Sequence, residues 1–435
     1  MLSAELFFLL PWLLFVVMLG LVALGIPVAF SLILSSILMV VLDPRIGMWV
    51  MFQRMYNGMN SFVLLAVPLF LLAGNLMNNA RITERLIRLS RHLIGHFKGA
   101  LAHVNVVVSM FFAGVSGSST ADSAGIGVIL VPAMIRQGYP KAFSVAVTAA
   151  SSVMGIIIPP SINMIVWGAL SDTSIAALFL AGFVPGVLIA AFQIGLNFFF
   201  VRKFKVPSYP RSSLREVLAS GRDGILAAGV PVIIIGGLIS GIVSPTEAAV
   251  LAVLYSLVLG VFVYRDLSWN QIVKSGRDTI RLSSLSLFSL VAASVFGYLI
   301  SFYRVPQLLL GGIGVGHPTL MLFGMVLAML VIGTFMDALP AMAILAPLFM
   351  PLIRAAGIHP VHFGLVTVMT LGLGLITPPY GLCLLIAAKI GDISIVRAVG
   401  VTMAYLGVMV VLVILIVLFP DIVMTVPRLL GPQFL

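Results

Sequence analysis

Two pairs of consecutive prolines, and two tracts rich in glycine, serine and threonine, carry the residues best able to do chemistry. Ile158–Pro159–Pro160–Ser161 and Thr377–Pro378–Pro379–Tyr380 each interrupt a long apolar run. Proline lacks an N–H and clashes with the preceding turn, so two in succession leave main-chain carbonyls without helical partners. In a chain solvated by lipid, such carbonyls need protein, water or an ion. A small hard cation suits them and the nearby hydroxyls, and a kink satisfied by neighbouring helices is the plainer alternative. The tracts GVSGSSTADSAG (114–125) and GTFMDALPA (333–341) supply hydroxyl oxygens and close backbone approach. Helices starting there would offer partial positive charge to an anion. Each tract holds one carboxylate, Asp122 or Asp337, which reads either as an ion-coupling group or as a helix cap.

Other chemistries have weaker support. Gly114–Val115–Ser116–Gly117 matches the GxSG pattern of an intramembrane serine protease, which needs a histidine base at the same depth. His92, His96, His317, His359 and His362 lie near expected interfaces, and His103 is only a few residues inside. There is no GxxxxGK[ST] and no HExxH. The single cysteine, Cys383, excludes a disulfide framework and thiolate metal sites. No catalytic residues, organic cofactor or enzymatic activity are expected.

The elements that must hold these residues are membrane helices. Of 435 residues, 61% are hydrophobic and 9% charged, and the mean hydropathy is +1.22. A soluble domain carries about 25% charged residues, so lipid must solvate most of this surface. The net charge of +11 is therefore read as cytoplasmic loop charge and not as a nucleic-acid surface. Spans of about 20 apolar residues are expected, at 5–24, 27–43, 61–78, 178–201, 224–243, 247–264, 282–303 and 398–419. The first is read as a retained helix, because it lacks a basic leader and a cleavage site.

Basic clusters at 81–98, 136–141, 202–222, 265–281 and 389–397 belong in the cytoplasm by the positive-inside rule. Lys98 and Arg136 then share one side, so the apolar chain between them must enter and return as a hairpin with its tip at 116–120. The tract 319–353 forms a second hairpin from the opposite face. Residues 79–98 read as an amphipathic basic helix on the anionic leaflet. Glu247, in Ser244–Pro245–Thr246–Glu247, reads as completing a helix N-terminus.

The two halves match in sequence. Asp122 and Pro132 are spaced as Asp337 and Pro347 are, and 144–160 aligns without gaps to 363–379. Val147/Val366, Thr148/Thr367, Gly155/Gly374, Ile157/Ile376 and both prolines coincide. Inverted repeats with broken helices mark secondary transporters. The expected fold is an all-α polytopic membrane protein with two re-entrant helical hairpins and two broken helices.

These motifs give a resemblance. VPLFLLAGNLM (67–77), FFAGVSGSS (111–119), IIPPSINMIVWG (157–168), FLAGFVPG (179–186), PVIIIGGLISGIVSPTEAA (231–249), GTFMD (333–337) and TPPYG (377–381) resemble the large membrane subunit of TRAP (tripartite ATP-independent periplasmic) transporters. Two departures are SPTE in place of the usual TPTE, and Asp122 where many members carry an apolar residue.

The resemblance implies a Na⁺-driven importer of a small organic anion in the bacterial inner membrane. It implies two partners, a periplasmic substrate-binding protein and a small four-helix membrane subunit, and an elevator-type fold. By that analogy 1–78 are scaffold helices, 79–98 the interfacial helix, and 99–175 the first transport-domain half. Scaffold helices at 176–264 follow, then a cytoplasmic connector at 265–281 and connecting helices at 282–318. The second transport half is 319–392 and a C-terminal helix is 393–435. Carried over by motif, one sodium site uses Ser116 and Ser119 with carbonyls around Gly155, Ile158 and Pro160. The other uses Gly333 and Thr334 with Thr370, Gly374, Thr377 and Pro379. The substrate lies near Ser118, Asn163 and Tyr380. The main rival function is a stand-alone ion or dicarboxylate carrier of similar fold; a channel and an intramembrane protease are further classes.

Overall fold

The computed structural model describes residues 4–203, 212–313, 317–379 and 381–435. Tyr380 and the 204–211 part of the third basic cluster thus lie outside the described residues. Those described are helical, with no strand among them. Among the described residues, six helices are long and apolar enough to cross a membrane.

The N-terminal part comprises α1 (Ala4–Ala23), α2 (Val28–Leu42), α3 (Met48–Met59), α4 (Ala66–Asn79) and α5 (Ile82–Ile94). α5 is amphipathic but shorter than the 79–98 expected: its apolar residues fall at helical spacing and bury Ile82 and Leu86, while Leu93 and Phe97 are exposed. The first hairpin is α6 (Ala100–Ser116) and α7 (Ser119–Arg136). The first broken helix is α8 (Lys141–Ser152), a 3₁₀ turn at Val153–Ile156, and α9 (Ile162–Ser171). Then come α10 (Ile175–Lys203), α11 (Leu214–Ile239) and α12 (Pro245–Val258). After α13 (Trp269–Phe302) and α14 (Val305–Ile313), the second hairpin is α15 (Pro318–Gly333) and α16 (Ala338–Ala355). The second broken helix is α17 (Pro360–Gly374) and α18 (Leu382–Ile390), followed by α19 (Ile395–Leu418) and α20 (Asp421–Leu430).

Local signals set these boundaries. Ser213/Glu216, Ser244/Glu247 and Ser268/Gln271 form reciprocal capping boxes that open α11, α12 and α13. Glu247 does complete its helix N-terminus. At the first break, Ser161 caps α9 by accepting from Met164 N at 3.2 Å, and donates to the Ile156 carbonyl at 2.6 Å. The second break closes on itself, with Cys383 N donating to Leu375 O at 2.9 Å. Orphaned backbone groups thus find partners inside the protein, as lipid requires.

Several boundaries differ from expectation. The basic stretch 265–281 is not a separate connector: from Trp269 it is the first part of α13, a 34-residue helix. At 1.5 Å per residue α13 is about 51 Å long, so it outruns the bilayer core and carries its charges into water. The C-terminal segment is two helices, parted at Phe419–Pro420. The hairpin arms have 16–18 residues and rise about 24–27 Å. A tip at mid-membrane therefore requires the arms to tilt or to begin outside the hydrocarbon.

α13 packs on α2, α3 and α4 on one side and on α16 on the other. α6 lies against α5, α7, α8 and α10, and α19 against α8, α10 and α17. The hairpin arms α6 and α16 and the helices α8, α9 and α17 of the two breaks are thus largely buried within the protein.

Candidate functional site

The first tip rests on the first break. Gly117, between α6 and α7, has φ +62°, and a Cβ there would lie 2.8 Å from the Pro160 carbonyl. Its own carbonyl accepts from Ile162 N at 3.2 Å, so the first N–H of α9 is used by the tip. Ser118 caps α7, accepting from Ala121 N at 3.4 Å. One turn later Asp122 is fully buried; one of its oxygens accepts from Ser116 Oγ and the other, Oδ2, has no hydrogen-bond partner. Gly155 faces it: a Cβ there would stand 2.6 Å from Asp122 Oδ2 and 2.9 Å from Ser119 N. Ser119 Oγ donates to the Val153 carbonyl at 3.4 Å.

Ser116, Ser119, Gly155 and Pro160 are thus brought together. Ile158 lies in the same break with its side chain against Gly186 of α10. A buried carboxylate oxygen without a donor is costly unless a cation or a proton accompanies it. The capping alternative does not hold for Asp122, because Ser118 is the cap.

The second tip repeats this contact. A Cβ on Gly374 would run into the Gly333 carbonyl, and one on Gly333 would sit 3.3 Å from Gly374 Cα. Gly155 and Gly374 are the paired glycines of the sequence repeat, so each broken helix meets its own tip at the same position. Thr370, one turn before Gly374, is fully buried and its Oγ1 has no partner. Thr334 and Thr377 donate to Val331 O and Leu373 O, both at 2.7 Å, so neither hydroxyl bridges tip and break. Both retain lone pairs able to face a cation. Pro379 is exposed where Pro160 is buried. Asp337 is the N-cap of α16, accepting from Ala338 N at 2.8 Å. The capping reading therefore holds for this carboxylate.

The halves meet where Ser123 Oγ of α7 donates to the Cys383 carbonyl of α18 at 2.9 Å. Beside this junction is a cavity of about 670 Å³. Ser118, Asn163 and Asp337 line one wall, and Asn75, Asp278 and Arg281 the other. Its size suits a small organic solute. Ser118 and Asn163 are where the sequence reading expects substrate. Asn75 and Arg281 are additions. Residues 278, 281, 282 and 285 all line the cavity, at one-face helical spacing, a signal hidden by reading 265–281 as a connector.

Repeated hairpins on repeated broken helices are a transporter architecture. The family model described as "Tripartite ATP-independent periplasmic transporter, DctM component" matches residues 15–422. The chain belongs to the TRAP transporter large-permease family. A TRAP relative, the sialic acid TRAP transporter large permease protein SiaM of Vibrio cholerae, is 36% identical over 413 residues, covering 94% of this chain and 97% of that one. The C4-dicarboxylate TRAP transporter large permease protein DctM of Pseudomonas aeruginosa is 34% identical over 381 residues, covering 87% and 89%. Among solved structures, the Alcanivorax borkumensis YdaH transporter aligns with a TM-score of 0.56 at 15% identity over 85% of this chain and 88% of that one. That likeness concerns the fold alone. As a TRAP permease the chain is a multi-pass transporter subunit, not an enzyme.

Proposed function

We propose that this permease couples Na⁺ to the import of a small organic anion across the bacterial inner membrane. A periplasmic binding protein delivers the anion, and a small four-helix membrane subunit completes the complex. The observation that carries this reading is the pair of glycine-packed tip–break contacts, each beside a buried oxygen without a partner: Asp122 Oδ2 at the first and Thr370 Oγ1 at the second. Both oxygens are hard donors suited to Na⁺. At the first site Ser116, Ser119 and the main chain of 155–160 supply further oxygens. At the second, Gly333, Thr334, Gly374, Thr377 and Pro379, in the same two segments as Thr370, are the further ligands of the proposal. The anion lies in the cavity at Ser118 and Asn163, near the N-terminus of α7.

Asp122 is the ion-coupling carboxylate, while Asp337 orders the second tip as a cap. Transport is elevator-like: the hairpins and broken helices move as a unit against helices that include α4 and α13. Substrates of the kinds named for the relatives, a sialic acid or a C4-dicarboxylate, fit the cavity's size. The family relationship favours this reading over the stand-alone carrier.

The test is uptake by proteoliposomes holding both membrane subunits, with loaded binding protein outside and Na⁺ or H⁺ gradients imposed separately. Uptake that requires the binding protein and follows Na⁺ is expected. Uptake without the binding protein supports the stand-alone carrier, and uptake driven by H⁺ alone makes Asp122 a proton carrier.

A further inference from the structure

The cavity between the tips and α13 has an asymmetric charge arrangement. On the side of the tips, the only charged lining residue among those described is Asp337, which is already committed to capping α16. The opposite wall carries Asp278 and Arg281. Among the described residues, Arg281 is the single cationic side chain lining this space. It is exposed, and neither it nor Asp278 forms an ion pair among the described residues. Asp278 and Arg281 are spaced one helical turn apart, yet the guanidinium is not consumed by its neighbour.

The position of Arg281 on the molecule matters as much as its charge. It belongs to α13, which packs on α2, α3 and α4 and, at its far end around Gly297, on α16; beside Arg281 the helix is hydrogen-bonded to α4 through Asn75–Thr279 (2.9 Å) and Asn79–Ser275 (2.8 Å). The arginine is thus fixed to the wall and not to the hairpins. It also closes the basic stretch 265–281, so the cavity mouth it lines faces the cytoplasm by the positive-inside rule. An anion held at Ser118 and Asn163 meets a guanidinium only in the arrangement in which the tips face this wall.

We infer that Arg281 is a state-specific anion contact: it takes the carboxylate (or other oxyanion) of the solute on the cytoplasmic side and so forms a station on the release path. Arginine is suited to this role, since its planar fork holds a carboxylate by two charge-assisted hydrogen bonds and stays charged at every physiological pH. The inference rests on the transport reading above and adds to it a residue and a side of the membrane. A further consequence is that the contact appears in the binding of solute from inside but not in the capture of solute from the binding protein.

The test uses both membrane subunits together, with N-acetylneuraminate and succinate as probes. Binding of each probe to the detergent-solubilised complex in Na⁺ is measured first, and exchange with internal probe in proteoliposomes second. Arg281→Gln is expected to weaken binding, and to raise the half-saturating internal probe concentration, at least about tenfold, the cost of one hydrogen bond to a charged group. The KM for externally added loaded binding protein should be unchanged. Arg281→Lys, which keeps the charge but not the fork, should recover only part of the loss, a charge dependence that a role in helix packing alone would not produce. Equal binding by wild type and Arg281→Gln overturns the inference, as does an equal rise on both faces. Absence of Na⁺-driven uptake by the wild type instead overturns the transport reading, whatever the binding result, so the two failures are distinct.

Discussion

Asp122 and Asp337 share a position in the sequence repeat but not a role. Asp337 sits at the cap of α16, whereas Asp122 lies one turn inside α7, buried against Ser116 and Gly155. The hairpin helix of the first half simply starts one turn earlier relative to its carboxylate. Two substitutions separate these roles. Asp122→Asn keeps the shape but removes the charge from the unpartnered oxygen, and the Na⁺ concentration for half-maximal uptake should rise about tenfold or more, as for loss of a bond to a charged group. Asp337→Asn keeps a capping oxygen and should leave Na⁺ activation near that of wild type.

Thr370 gives a complementary case. Its hydroxyl is buried without a partner, so Thr370→Val removes a group that folding alone gains nothing from. Thermal stability should be equal or higher, while Na⁺ activation weakens. A loss of stability together with unchanged Na⁺ activation would assign that hydroxyl a packing role instead.

At the scale of elements, the corner after α2 shows how charge holds helices outside the membrane. Arg45 Nε donates to Asp43 Oδ1 at 2.7 Å, and Tyr303 Oη at the end of α13 donates to Asp43 Oδ2 at 3.3 Å. The hydrogen bond from Arg45, more than any other influence, lowers the Asp43 pKa below the ordinary carboxylate value, against the opposing effect of burial. A depressed pKa stabilises the fold at every pH above the unfolded value of about 3.9 and ceases to do so as pH falls through the native value. Thermal melts should therefore place Asp43→Asn below wild type at pH 7, and the two should converge in acid below the native pKa. A constant difference down to that range would mean that the charge is not what Asp43 contributes.

The elements most legible in the sequence were those with strong local chemistry. Pro159–Pro160, Pro378–Pro379 and Gly117–Ser118 cannot continue a helix, and the breaks fall at them. The paired glycines Gly155 and Gly374 were visible as repeat matches, and close packing explains why both are glycine. What was hidden lay where composition misleads. The charges at 265–281 read as a cytoplasmic connector because they have no place in the hydrocarbon core, although α13 simply extends into water. The short helices α3 and α14 fall below the length that a span requires. Equal Asp–Pro spacing concealed the difference between Asp122 and Asp337, because spacing within a helix does not say where the helix begins.

For the molecule as a whole, two related halves converge on one cavity, joined by the Ser123–Cys383 hydrogen bond. An elevator motion would carry Ser118 past the wall formed by α4 and α13. Cys383 is fully buried, so Ser118→Cys introduces a clean reporter. Its labelling by a membrane-impermeant thiol reagent from the cytoplasmic face should be high in the arrangement described here and should fall when Na⁺ and anion gradients drive the tips outward. Equal labelling under all gradients would contradict such a motion.

The proposed coupling requires a cation where the first tip meets the first break. A cryo-EM map of the complex with its small subunit, recorded once in NaCl and once in choline chloride, tests it most directly. Density among Asp122 Oδ2, Ser116, Ser119 and the 155–160 main chain is expected in sodium, and its loss in choline. Identical maps with no feature at that position would contradict it.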